Sequence, residues 1–280
     1  MVSYYNSGME NILVTGATGY IGRTFCAYVQ QHPAANIKTT ACNLRQAGWR
    51  GQDFGAYSAV VHAAGLAHVK ETAHNRADYF AINRDLTLEV ALKAKADGCP
   101  HFIFLSSMAV YGLSQGVVTA ETPLAPASAY GRAKLEAEEG LQALASATFR
   151  VAVFRPPMVY GPGCPGNYPK LETLVRRVPF FPGIDTPRSF VHIDRLCAAM
   201  LHVAATRAEG TFFPRDTGET SVQTLARAIA ARHGQRLRTT PVFNPLIRVL
   251  VPYVPALAKM FGMLVYDPML PTGMEEPPCA

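Results

Sequence analysis

Charge is sparse in this 280-residue chain: Asp, Glu, Lys and Arg together make up 16%, and no block of Lys or Arg resembles a nucleic-acid-binding stripe. DNA and RNA are therefore excluded as expected partners, and the net charge of +6 suits an anionic small molecule instead. The six cysteines, Cys26, Cys42, Cys99, Cys164, Cys197 and Cys279, form no C-x-x-C pair, which argues against a zinc site and a disulfide framework and for a reducing cytoplasm. A membrane-spanning helix is missing as well. The most apolar late segment, 246–265, is interrupted by Arg248, Pro252, Pro255 and Lys259, and sequence alone gives no support for contact with a membrane surface. Residues 1–8 contain no apolar run of signal-peptide type, so Met9 is a second candidate for the start of the folded part. Internal repeats and low-complexity tracts are absent.

What is present is an ordinary globular composition, 49% hydrophobic, with strands and helices in alternation. Periodicity predicts strands at 11–15, 37–42, 59–62, 101–106 and 149–154, and helices at 23–31, 79–96 and 130–144. That alternation implies an α/β fold with a doubly wound parallel sheet. The 130–144 helix places Glu136, Glu138 and Glu139 on a polar face. After Arg155 eight prolines fall within about three dozen residues, marking a loop-rich segment. A dinucleotide-binding domain is expected over 9–154, completed by 189–216, where a strand at 189–192 returns to the main sheet. A smaller substrate lobe takes 155–188 and 217–271, with helices at 170–177, 222–233 and 246–263, and 272–280 form a loose tail.

Between the first strand and first helix stands T-G-A-T-G-Y-I-G, giving Gly16, Thr18, Gly19, Tyr20, Ile21 and Gly22 as candidates for binding a dinucleotide. Glycines allow a tight turn and close backbone approach, so the helix N-terminus can face a pyrophosphate. NAD-binding folds use an acidic residue about 20 positions later for the adenine ribose. Here position 42 is Cys, and no carboxylate occurs between Glu10 and Asp53, whereas Arg23, Lys38, Arg45 and Arg50 do. This leans the cofactor reading from NAD towards NADP, with Arg45 as the candidate contact for a 2′-phosphate.

Ser106 and Ser107 end a strand, and Tyr130-Gly-Arg-Ala-Lys134 opens a helix. Four residues apart, Tyr130 and Lys134 share one helix face, where an ammonium favours the phenolate. A serine hydroxyl from the strand end can hold the same substrate oxygen, which gives the means to move a proton while a nicotinamide moves a hydride.

With these residues the chain resembles the extended short-chain dehydrogenase/reductases, in the NAD(P)-dependent sugar-nucleotide epimerase/dehydratase branch. The resemblance spans about residues 10–270 and rests on the glycine turn, His62-Ala-Ala-Gly65, the Asn83 helix, Ser-Ser-x-x-Val-Tyr-Gly, Tyr-x-x-x-Lys and Arg155-Pro-Pro-Met-Val-Tyr-Gly-Pro-Gly163 in order. It implies a Rossmann-type sheet and a homodimer. It also implies Ser107 as catalytic serine, Tyr130 as acid/base, and Lys134 as the residue that holds the nicotinamide ribose and tunes the tyrosine. Ala63, Ala64, Gly65 and Asn83 would border the cofactor, while Asn167 and Arg188 would contact a nucleotide-sugar substrate. His62 reads as structural, and His192 and Asp194 as caps of the following helix.

Two departures shape the expected reaction. Met158 stands where related epimerases often carry a substrate-positioning Asn, and Met108 and Ala109 replace the acidic pair of family dehydratases, which disfavours elimination of water. The resemblance implies redox chemistry at C4 of a nucleotide-diphosphate hexose, with UDP-sugar 4-epimerisation first and NADPH-dependent 4-keto-sugar reduction second. A hydroxysteroid- or flavonoid-type ketone reductase and a cofactor-sensing binding protein are further alternatives.

Overall fold

The computed structural model describes residues 10–33, 36–218, 220–251 and 253–274. Met9, Cys279 and most of the expected tail lie outside them. Six parallel strands form the central sheet: β1 (Glu10–Thr15), β2 (Ile37–Cys42), β3 (Ala59–His62), β4 (His101–Leu105), β6 (Arg150–Phe154) and β10 (Gly210–Phe212), with β5 (Gly116–Val118), β7 (Met158–Tyr160), β8 (Phe181–Pro182) and β9 (Phe190–His192) set outside it. The order is β10-β6-β4-β3-β1-β2, all parallel, so the sheet is doubly wound as the alternation required. Winding reverses between β1 and β3. Ligands of such sheets bind outside the carboxyl ends of the strands at this reversal.

Helices cover both faces, and this explains why the inner strands β3, β4 and β6 read as nearly continuous apolar runs. On one face Ile12, Val14, Val61, Ile103 and Phe154 pack with Phe25 and Val29 of α1 (Tyr20–Gln31) and with Leu196 and Met200 of α6 (Ile193–Thr206). On the other, Leu13, Val60, Phe102, Phe104 and Val153 pack with Val90 and Ala94 of α3 (Leu86–Ala96) and with Ala137 and Leu141 of α4 (Ala129–Leu144). The period-two alternation of the strands decides which core each residue enters.

Several sequence expectations are corrected. Helix α1 begins at Tyr20 rather than 23, because Gly19 is its N-cap. The 79–96 helix consists of α2 (Arg76–Phe80), a π-helical turn at Ala81–Asp85, and α3. The strand expected at 189–192 does not return to the main sheet: β9 pairs with β7, and β10 is the strand that joins β6. The expected 246–263 helix is two short ones, α8 (Asn244–Leu250) and α9 (Pro255–Phe261), since prolines cannot continue a helix from within. Around a separate apolar core lie these two, α5 (Asn167–Arg177), α7 (Val222–Arg232), and β8 paired with β11 (Thr239–Thr240). A last strand, β12 (Leu264–Tyr266), pairs with β5.

Two imidazoles are locked inside. His62 is fully buried between Thr15 Oγ1 at 2.9 Å and Thr87 Oγ1 at 3.1 Å, and His101 Nε2 meets the Ala208 carbonyl at 3.0 Å. Burial disfavours their charged forms, lowering His62 to about 3, with Lys134 adding to the effect, and His101 to about 4. The unfolded chain, with histidines near 6.5, therefore binds more protons than the folded one between those values and about 6.5. Stability is full above that window and falls as pH drops through it, by up to roughly 3 kcal/mol per pH unit when both groups contribute. Urea unfolding between pH 7 and 4 checks this, and His62→Asn should flatten the slope.

Candidate active site

The glycine turn sits at the winding reversal because only glycines fit there. Gly16 has φ of +71°, and a Cβ on it would come within 2.5 Å of the Ala64 backbone nitrogen; one on Gly22 would lie 2.4 Å from the Gly16 carbonyl oxygen. The turn closes with Gly19 N–H donating to Gly16 O at 2.9 Å. Gly16 thus lies against Ala63 and Ala64 at the end of β3, and α1 starts without a side-chain cap or an acidic residue in its first turn. Its free amides and positive dipole end fit a dinucleotide pyrophosphate. Thr18 and Gly19 are exposed at the rim, whereas Ile21 and Tyr20 turn their side chains into apolar packing, leaving only backbone groups for a ligand. The Tyr20 hydroxyl is buried beside Gly161 without a hydrogen-bond partner among the described residues.

Arg45 is exposed just beyond the carboxyl end of β2, its N–H bonded to Asn43 Oδ1 at 3.1 Å. The other cations of this interval differ in placement. Lys38 pairs in register with Asn11 near the amino ends of the strands, and Arg50 is held by Glu89 at 2.6 Å and stacks on Trp49. Arg23 is exposed on the first turn of α1.

Lys134 is the pivot of the second half of the site. It is 4% exposed, donates from Nζ to the Leu105 carbonyl at the end of β4 at 2.7 Å, and lies over the Phe104 ring at 4.5 Å. Burial lowers its pKa to about 7, with Glu138 working in the opposite direction. Tyr130, one turn earlier on α4, is half-buried, and its ring meets Tyr79 edge-on at 6.2 Å. Burial raises its phenol pKa while the Ser107 side chain, as a hydrogen-bond partner, lowers it. Ser107 also accepts from Ala109 N at 3.1 Å, which caps the short turn Met108–Tyr111 and fixes the hydroxyl at the strand end. Ser107, Tyr130 and Lys134 are thus brought together at the carboxyl end of β4.

Gly65 joins the two halves. A Cβ there would lie 2.8 Å from Asn83 Oδ1 and 3.3 Å from Lys134 Nζ. Asn83 cannot yield, because its Oδ1 accepts from Leu66 N at 2.9 Å and its Nδ2 donates to Leu66 O at 3.0 Å. The fully buried Asn83, carried on the π-helical turn, clamps the chain after β3. Gly65→Ala is expected to displace Lys134 and depress turnover more than it lowers the thermal midpoint, which paired kinetic and melting measurements would test.

Beneath these residues lies a network that sequence reasoning missed. Glu138, expected on a polar face, is 6% exposed; it accepts from Ser106 Oγ in a short hydrogen bond and from Arg155 Nη2 at 2.5 Å. Burial works against the Arg155 charge, but the hydrogen bonds it donates to Glu138 and the carboxylate's charge outweigh it and raise the pKa. Arg155 Nη1 donates to Tyr111 OH at 2.7 Å. The signal was available: 130, 134 and 138 are spaced for one helix face, so Glu138 faces the way Tyr130 and Lys134 do.

The second-lobe candidates have other surroundings. Asn167 is exposed at the start of α5, next to Gly166, whose Cβ position is 2.6 Å from the His68 ring. Half-buried Arg188 donates from Nη1 to the Gly262 carbonyl at 2.9 Å and to Ala258 O at 3.4 Å, at the end of α9. Burial lowers its pKa. His192 accepts from Asp194 N at 3.3 Å and caps α6, as expected.

The family model for the NAD dependent epimerase/dehydratase family matches residues 12–212. The chain belongs to this family. As an epimerase/dehydratase family member of the extended short-chain dehydrogenase/reductases, it is an NAD(P)-dependent enzyme. It is 33% identical over 250 residues to a UDP-glucose 4-epimerase of Vibrio cholerae, an alignment covering 79% of this chain and 75% of that one. A human UDP-glucose 4-epimerase is 26% identical over 200 residues, 58% of each chain. Two solved structures share the family architecture at 17% identity. A UDP-glucuronic acid 4-epimerase from Bacillus cereus in complex with NAD has a TM-score of 0.69 and covers 92% of this chain and 87% of that one. A dTDP-4-dehydrorhamnose reductase from Bacillus anthracis str. Ames in complex with NADP has a TM-score of 0.71, with 94% and 95% covered.

Proposed function

We propose that this epimerase/dehydratase family member interconverts C4 epimers of a UDP-linked hexose, with Ser107, Tyr130 and Lys134 as its catalytic residues. The observation that carries the reading is the convergence of these three side chains at the end of β4, joined through Gly65 to a glycine turn shaped for a dinucleotide. The 33% identity with a UDP-glucose 4-epimerase supports the substrate class. Gly16, Gly19 and the first-turn amides of α1 would hold the pyrophosphate, with Ala63, Ala64 and Gly65 along its border. Bound there, a nicotinamide dinucleotide supplies a hydride acceptor and donor.

Tyr130 takes the proton of the 4-hydroxyl and later returns it, and Ser107 holds the same oxygen in both directions. Lys134 favours the phenolate when its ammonium is charged. Asn167 and Arg188 are assigned to the substrate's nucleotide end, where the Arg188 guanidinium provides a half-buried cation for a diphosphate. Met108 and Ala109 offer no acid beside Ser107 for elimination of water.

A second reading, NADPH-dependent reduction of a 4-keto sugar, is favoured by exposed Arg45 and by the lack of any carboxylate between Glu10 and Asp53. Mass spectrometry of the dinucleotide released on denaturation, paired with incubation of UDP-glucose or UDP-galactose without added cofactor, separates the two. Retained NAD with interconverted hexoses supports the epimerase. Empty protein active only with NADPH and a 4-keto sugar overturns it in favour of the reductase. A dimer, which the family resemblance implies, is read from the sedimentation mass in the same preparation.

A further inference from the structure

Residues 220–266 hold six Lys or Arg and no Asp or Glu. Within this stretch α8 and its C-cap pack by Ile247 and Val251 on the second-lobe core, and apolar side chains on and around the helix stay exposed: Leu246 60% and Val249 65% on α8 itself, Val242 74% before it and Tyr253 79% after it. Three residues apart, Leu246 and Val249 share one face of α8, and Phe243, its N-cap, is 51% exposed as well. An apolar surface of this kind marks an interaction site.

Its flank is basic. A cleft of about 850 Å³ is lined by Arg176, Arg236, Arg238 and the half-exposed Phe180. Arg238 leads through β11 into this segment, four residues before Val242, so the two are no more than about 14 Å apart. Arg248 is exposed on α8 itself and Lys259 on α9. The described contacts show no carboxylate paired with any of these cations.

We propose that this face docks on an anionic phospholipid surface, with the exposed apolar side chains of α8 entering the acyl boundary and the surrounding arginines meeting headgroup phosphates. Apolar burial and attraction to anionic lipid are the two components of such binding, and both are present on one face here. Charge decides against a second copy as occupant, because a two-fold contact would bring the same basic flank against itself. Tyr253, with an apolar ring and a polar tip, suits the headgroup level. No helix among the described residues is long and apolar enough to cross a membrane, so the contact is one of surface docking.

Co-sedimentation of the full chain with phosphatidylcholine vesicles, with and without phosphatidylglycerol, tests this. Binding is expected only with phosphatidylglycerol, weakened by raised salt, and reduced at least about tenfold in the double variant Leu246→Glu, Val249→Glu. The double variant Arg236→Gln, Arg238→Gln changes exposed side chains only and should also lose affinity, which keeps the test decisive if the first variant fails to fold. Absence of vesicle binding at low salt, or binding unchanged in the arginine variant, overturns the proposal. So does a lipid-free dimer that the Leu246→Glu, Val249→Glu variant converts to monomer, since that would assign the face to a second copy.

Discussion

Tyr130→Phe is expected to reduce turnover by about 10²–10⁴-fold, the range for a lost general acid/base, with dinucleotide affinity retained. The expectation rests on placement. The phenol is the acidic group adjoining both Ser107 and the Lys134 turn, while the residues assigned to the pyrophosphate lie on the other side of Gly65 and do not depend on the tyrosine hydroxyl. Removing one oxygen leaves the ring, its edge contact with Tyr79 and the burial of its neighbours intact. Single-turnover kinetics together with equilibrium titration of the dinucleotide read the two effects separately. Turnover at the wild-type rate would remove Tyr130 from the chemistry.

Glu138→Ala is expected to destabilise the fold by about 3–5 kcal/mol, because it leaves the Arg155 guanidinium buried without its carboxylate. In a chain of this length that corresponds to a fall in Tm of roughly 10 °C. The Ser106 hydroxyl loses its partner too, next to the serine assigned to catalysis. A second consequence concerns Lys134. Glu138 is the neighbour that holds its ammonium up against burial, so without it Lys134 loses its charge at lower pH and the alkaline limb of the kcat profile moves the same way. Glu138→Gln keeps one acceptor oxygen for Arg155, while its amide N–H can donate to Ser106 Oγ, so it should recover part of the stability but not the pH profile. A fully restored profile would show that Glu138 serves packing alone.

Elements with strong local chemistry were legible. The strands at 37–42 and 59–62 were bounded as found: 59–62 is a short buried apolar run, and the edge strand 37–42 is rich in β-branched residues. The serine, tyrosine and lysine of the proposed site could be picked out for a different reason: the proposed chemistry needs those residue types, and four-residue helix spacing aligns two of them. The small strand pairs β5 with β12 and β8 with β11 were not, because each joins segments far apart in the chain through two or three residues. Tertiary packing selects such pairs, and short-range pattern carries little trace of them.

The sequence by itself determined the α/β class, the parallel doubly wound sheet, the glycine turn and the catalytic candidates. All are dictated by local periodicity or by the chemistry of single residues. Only the tertiary structure decided that Asn83 clamps Leu66, that Glu138 is a buried partner of Arg155, that residues 190–192 pair with β7 outside the main sheet, and that Leu246 and Val249 of α8 face solvent. The physical reason is common to all four. Which face of an amphipathic or polar segment is covered depends on what the rest of the chain brings against it, and burial, not residue type, sets whether a carboxylate is a solvated charge or half of an ion pair.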